Sequence, residues 1–210
     1  MPKRLSAAHV RHRLADTRMP ADPLDVDVTD LNHRMPARMV ERLLPGLRPA
    51  GVLIPLIERG GSLSVLLTER SADLKHHAGQ VSFPGGGMEA GDADIAATAL
   101  RETHEEVGIR PEQIDVAGYL QPTPTVTGYA VTPVIGFVKH DYSLRIDRTE
   151  VESAFEVPLE FLMDETNEEH SEREFEGMTV SVVTFHYDGY RIWGATAGML
   201  LTLRSKIINK

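Results

Sequence analysis

Between Gly85 and Ile109 the chain has room for little but one local shape. Gly85-Gly86-Gly87-Met88-Glu89-Ala90-Gly91-Asp92 is a glycine-rich turn, and Arg101-Glu102-Thr103-His104-Glu105-Glu106-Val107-Gly108-Ile109 follows a short helical stretch later. Asp92 or Asp94 is placed to cap that helix, because a short side-chain oxygen accepts from the free amides of a first turn. Residues 95–100 are small or apolar and suit close packing on a sheet. Gly108 suits the left-handed position after the last turn, and Pro111 bars continuation. Glu102, Glu105 and Glu106 then stand at i, i+3 and i+4, on one face.

By itself that face is unfavourable. Like charges four apart cost about 0.2–0.5 kcal/mol, and acids in a last turn oppose the helix dipole by a similar amount. Two carboxylates ~5 Å apart repel by roughly 3 kcal/mol at an effective dielectric of about 20. Two readings fit the spacing. One is a solvated acidic face with Arg101 as its nearest base. The other is a site for a hard divalent cation, which takes carboxylate oxygens together with substrate phosphates.

The 210 residues, 41% hydrophobic and 25% charged, fit one globular domain with a sizeable core. The chain has no cysteine, which excludes disulfides and thiolate metal sites and fits a reducing cytoplasm. No apolar run approaches ~20 residues and no secretory h-region opens the chain, so no membrane partner is expected. A net charge of −9 argues against nucleic acid as a partner, since such binding relies on basic patches. A polyanionic small molecule would have to meet Arg, Lys and metal charge concentrated locally.

Along the chain, residues 1–48 read as an arm with short helices over 5–14 and 37–44, packed on the domain formed by residues 49–210. Arg4, Arg11 and Arg13 read as a solvated basic surface, and His33 as surface polar. Strands at 51–57 and 62–68 pair across 58–61, and Pro55 implies an edge or a bulge. Further strands are expected at 116–120 and 129–139, flanking a stiff loop over 121–128. Glu150 and Glu152 read as solvent-facing at a helix start, with a swing toward a cation as the alternative. Residues 167–174 read as a charged loop, 178–187 as a strand, 187–190 as a hairpin turn, 191–193 as a last strand and 196–208 as a helix. Trp193 is either a base-stacking group or, the reading favoured, part of the core packing.

Several polar residues border the glycine turn. Arg70 and Lys75 are either ordinary surface cations or a phosphate clamp. His77 is expected to contact substrate or a loop carbonyl ahead of ligating metal, since its neighbour His76 need not converge with it. The glycines at 85 and 86 let backbone approach a ligand without Cβ interference. They do not form a P-loop, because no Gly-Lys-Ser/Thr follows. Tyr129 is either a half-buried strand aromatic or a platform for adenine.

The segment Arg101–Ile109 resembles the Arg-Glu-x-x-Glu-Glu-x-Gly-aliphatic end of the Nudix box, found in hydrolases that cleave a nucleoside diphosphate linked to another group. Ala93 stands where the box usually has a glutamate; Asp92, one position earlier, is the nearest acid and is read as a one-residue expansion. Thr103 replaces an aliphatic residue. Upstream, Leu66-Leu67-Thr68-Glu69-Arg70-Ser71 and His77-Ala78-Gly79-Gln80-Val81-Ser82-Phe83-Pro84-Gly85-Gly86 resemble the signature of the coenzyme A pyrophosphatase branch, bacterial type. Lys75 stands where that branch usually has arginine, keeping the charge and losing the planar fork. Residues 126–134 and 193–199 are similar to the same branch.

The resemblance implies an α/β fold, a Nudix-type α/β/α sandwich with a mixed β-sheet, with residues 49–210 as the hydrolase domain. It implies Mg2+ or Mn2+ held by Glu102 and Glu106, with Glu105 as a third ligand or the base that orients water, and Arg101 beside them. It places Arg70, Lys75, His77, Gln80, Gly85, Gly86 and Tyr129 against substrate. The expected reaction is hydrolysis of coenzyme A, or its acyl and oxidised derivatives, to 3′,5′-ADP and 4′-phosphopantetheine. Alternatives are another nucleoside diphosphate substrate, such as ADP-ribose or a dinucleotide, and a catalytically silent binding module. Homodimers are common in the family, and one is an expected assembly.

Overall fold

Long apolar strands separated by glycine turns dominate the chain. The computed structural model describes residues 5–26, 36–72, 79–175 and 177–208. In order these form α1 (Ala7–Leu14), α2 (Ala37–Leu43), β1 (Arg48–Arg59), β2 (Ser62–Arg70), β3 (Val81–Ser82), β4 (Gly85–Gly87) and α3 (Ile95–Val107). Then follow β5 (Ile114–Tyr119), β6 (Thr123–Pro124), β7 (Tyr129–Val138), β8 (Val151–Pro158), α4 (Leu159–Met163), β9 (Glu168–Phe175), β10 (Met178–Tyr187), β11 (Tyr190–Trp193) and α5 (Gly194–Ile208).

An eight-stranded sheet runs β3-β2-β1-β7-β5, with β4 on β1, β6 on β7 and β8 on β2. Only the β1–β7 pairing within it is parallel, so the sheet is mixed, as expected. The central strand β1 is buried on both faces. Leu53 and Ile57 join the core beneath α3 with Leu66, Val107, Ile109 and Val134. Ile54 and Leu56 point to the opposite core, which α1, α5 and a second, three-stranded sheet (β11-β10-β9) help to close. Val10 and Leu14 of α1 are fully buried there, each contributing about 1.5–3 kcal/mol. His9 Nε2 and Arg13 Nε reach the Ile207 and Lys206 carbonyls at 2.9 and 3.1 Å, satisfying groups that the end of α5 leaves open.

Three expectations are corrected. Pro55 lies in the central strand, opposite Gly136 of β7. It is tolerated because β4 pairs with β1 only through Val52 and β2 only from Leu56. The Leu53 N–H points to that side, toward the Pro84 carbonyl, and by the two-residue period the missing Pro55 N–H falls in the gap. Residues 168–175 are a strand, paired with β10 along its whole length; its charges on both faces concealed it, and the partner strand supplies the order. Residues after Glu150 enter β8, not a helix, paired with β2.

Candidate active site

Helix α3 is fastened at its start. The Asp94 side chain caps it, accepting from Ala97 N–H at 2.8 Å. Asp92, whose side chain is 6% exposed, accepts from Arg101 Nε and Nη2 at 2.9 and 3.0 Å, from the Thr98 hydroxyl at 2.9 Å and from Glu89 N–H at 2.9 Å. The Arg101 bonds hold the Asp92 carboxyl well below the usual carboxylate range, against the opposing effect of burial. Asp92 is thus the partner of Arg101. Thr103 is buried and its hydroxyl donates to the Ala99 carbonyl at 2.6 Å, so it presents an apolar face where an aliphatic residue is usual.

The far end differs. Arg101 Nη1 donates to Glu102 and to Glu105, both at 2.9 Å, and Nη2 to the Gly87 carbonyl at 3.3 Å. Glu102 lies directly against β4: a Cβ built on Gly86 would stand 2.5 Å from its Oε1. Only a residue without a side chain admits this approach. Glu106, 3% exposed, accepts from Gly85 N–H, while its Oε2 has no hydrogen-bond partner among the described residues. Burial pushes the Glu106 carboxyl up to about 8; Arg70 opposes this, and the charges of Glu102 and Glu150 add to it. Burial also raises Glu102, against Arg101. Gly108 closes the helix with φ 78°, its N–H on the His104 carbonyl at 2.9 Å. Arg145 and Asp147 N–H groups take the Val107 and Glu106 carbonyls at 2.8 and 2.9 Å.

The other expected residues distribute unevenly. Arg70 ends β2, its N–H on the Gln80 carbonyl at 3.0 Å, and its buried Nε has no partner among the described residues. Lys75 and His77 lie outside the described residues. Gly85 and Gly86 line the glutamates through backbone. Tyr129 is not brought to them. It packs against the core on the other face of the sheet, beside Gly87, with the Arg48 guanidinium 4.3 Å above its ring. Trp193 is half-buried, with Arg191 stacked over it at 4.7 Å. Glu105 is drawn toward Arg101 and away from Glu106.

Among the described residues no group of three or more His, Asp or Glu side chains is arranged to hold a metal ion. The chemistry of Glu102 and Glu106 nonetheless fits a divalent ion. Both are hard oxygen donors on one helical turn, and one buried oxygen lacks a partner among the described residues. Magnesium is commonly bound by one or two carboxylates, leaving positions for water and phosphate oxygens. The sequence pattern pointed to these two residues. Its weakest signal concerned Glu150, which follows an Asp-x-Thr turn immediately before a strand.

The NUDIX domain family profile matches residues 47–186. The chain is 41% identical over 160 residues to a protein named "Uncharacterized Nudix hydrolase NudL" from Citrobacter koseri, covering 76% of this chain and 83% of that one. A protein of the same name from Shigella boydii is 42% identical over the same coverage. Among solved structures, a MutT/nudix family protein from Enterococcus faecalis aligns with 99% of this chain and 76% of its own, with a TM-score of 0.50 and 14% identity. That likeness is one of fold.

Proposed function

The chain belongs to the Nudix family and is a hydrolase of nucleoside diphosphate derivatives, and we propose that its substrate is coenzyme A or a derivative. Hydrolysis would yield 3′,5′-ADP and 4′-phosphopantetheine in a reaction dependent on Mg2+ or Mn2+. One observation carries the reading of the site: the unpartnered, buried oxygen of Glu106 beside Glu102 at the edge of the glycine strand. The resemblance of residues 66–86 to the coenzyme A pyrophosphatases supports the choice of substrate.

Glu102 and Glu106 would hold the ion, and Arg101 fixes the rotamer of Glu102 through a 2.9 Å bond. A bound divalent cation offsets diphosphate charge and polarises the phosphorus–oxygen bonds. Gly85 and Gly86 bring backbone against both glutamates, Gly85 through its N–H to Glu106 and Gly86 by admitting the Glu102 carboxylate. The buried Arg70 Nε supplies an unused donor next to Glu106 and suits a phosphate oxygen. Glu105, its side chain 56% exposed, is the group we assign to orient the attacking water. The water oxygen bonds to phosphorus, the bridging oxygen leaves with its electron pair, and the water proton passes to a carboxylate. Lys75 and His77 are proposed substrate contacts, and the cytoplasm is the proposed compartment.

The test is a panel of coenzyme A, ADP-ribose, NADH and diadenosine polyphosphates with Mg2+ or Mn2+, with products identified by mass. We expect 3′,5′-ADP from coenzyme A at the highest kcat/KM. Preference for ADP-ribose or a dinucleotide would overturn the substrate assignment alone. No turnover of any member would overturn the assignment of an active diphosphate hydrolase.

A further inference from the structure

Strand β9 is the outer strand of the second sheet. It pairs with β10 from Glu168 to Phe175, and no strand among the described residues pairs with its other side. Which backbone groups face outward follows from the turn. Phe175 pairs with Met178, three positions on in the chain, and so short a connection makes them a pair that exchanges both backbone hydrogen bonds. By the two-residue period Glu169, Ser171, Arg173 and Phe175 bond inward to β10. The N–H and C=O groups of Glu168, His170, Glu172 and Glu174 therefore point out. The short turn on the far side of β10, where Tyr187 pairs with Tyr190, requires the same parity. All of β9 except Glu168 and Ser171 is exposed.

An open edge is a template for another strand unless its side chains forbid the pairing. For a second copy related by a two-fold axis, antiparallel pairing must be centred on one residue, since only then do outward groups meet outward groups. The charges choose among the centres. Centred on Arg173, that residue meets its own copy and Glu172 meets Glu174. Centred on Glu172, two glutamates meet at the axis; centred on His170, Glu168 meets Glu172. Centred on Ser171, Glu169 faces Arg173 and His170 faces Glu172, and symmetry repeats both pairs. Glu172 and Arg173 have no ion pair among the described residues, and Glu169 is exposed while holding His186 at 3.0 Å. One like-charge pair remains, Glu168 opposite Glu174. It is muted, because Glu168 turns inward to Arg204, with His170 at 2.9 Å, and its side chain is 4% exposed. Glu174 accepts from the Thr179 hydroxyl at 2.7 Å.

We propose that β9 is a self-association edge: two copies of the chain join β9 to β9, antiparallel about Ser171, so that their three-stranded sheets become one. The second sheet closes the core on the side away from α3, and the proposal stands independently of the substrate and cation readings. Ser171→Cys gives the first test, because the chain has no other cysteine. It places a thiol at the axis in a non-hydrogen-bonded pair, whose Cα separation of about 4.5 Å suits a disulfide. The second test is sedimentation of wild type, Arg173→Glu, Glu169→Arg and the double exchange over a concentration series. Thermal unfolding checks that each variant is folded.

Mild oxidation of Ser171→Cys should yield a covalent dimer, and Arg173→Cys, displaced from the axis, should yield little. Wild type should associate reversibly. Each single reversal turns two opposite-charge pairs into like-charge pairs and should weaken association by about tenfold or more, and the double exchange should restore it. A wild type that stays monomeric throughout, or equal cross-linking at positions 171 and 173, overturns the proposal. Association untouched by the single reversals, or a double exchange as weak as either one, places the contact elsewhere and overturns it as well.

Discussion

The two ends of α3 are built to opposite specifications. At the start, each charged group meets its complement. Asp94 caps the first turn, and Asp92 collects donors from Arg101, Thr98 and Glu89. At the end, a carboxylate is buried with one oxygen unpartnered among the described residues, two more acids lie within its field, and a glycine lets Glu102 press against backbone. The first arrangement lowers the free energy of the folded chain. The second raises it, and makes sense once something positively charged is expected to arrive. A helix anchored firmly at one end can hold a strained set of carboxylates at the other without fraying.

The contrast is broken most sharply at the acidic end. Glu106→Gln should reduce kcat by about 10³-fold, the several kcal/mol of charge stabilisation a cation site supplies, while leaving the protein folded. At the anchored end the effect should move to stability. Asp92→Asn should cost about 3 kcal/mol at pH 7, because it strips a partly buried arginine of its partner. The sign with pH follows from the depressed Asp92 carboxyl. Its contribution is fully present above the ordinary aspartate value of about 4 and is lost as pH falls toward the lower folded value. Chemical denaturation of the two proteins should therefore converge in strong acid.

Two alanine substitutions sharpen the comparison at smaller scale. Gly86→Ala places a methyl group against the Glu102 carboxylate and should lower kcat by about tenfold, roughly 1.4 kcal/mol, with little change in unfolding temperature. Gly91→Ala, where a Cβ would meet nothing within 4 Å, should be silent in both assays. Equal effects from the two would mean that the approach of Glu102 to β4 has no bearing on turnover.

Much of this asymmetry was legible in the residues. The glycine turn, the cap, the stop at Gly108 and the shared face of Glu102 and Glu106 follow from local rules of helix geometry. What spacing could not supply was tertiary. Whether Glu105 or Glu106 is the buried acid depends on which side of α3 meets the sheet, and Arg101 settles the direction of Glu105 only once Asp92 has fixed its guanidinium. Tyr129 was expected near substrate because it follows a stiff loop, residues 121–128, read as bordering the cleft. The pleat of β4 sends Gly86 toward Glu102 and Gly87 toward Tyr129, on opposite faces. Glu150 and β9 were misread for a related reason: both owe their order to partners far along the chain, Ser71 and α3 in one case and β10 in the other.

The most direct measurement is thermal unfolding of wild type and Glu106→Gln at pH 8, first in EDTA and then with saturating Mg2+. We expect Glu106→Gln to be the more stable protein in EDTA, since an uncompensated buried charge has been removed, and Mg2+ to raise the unfolding temperature of the wild type alone. A variant less stable than wild type in EDTA, with no Mg2+ response in either protein, would show Glu106 to be an ordinary structural glutamate and would contradict the cation site.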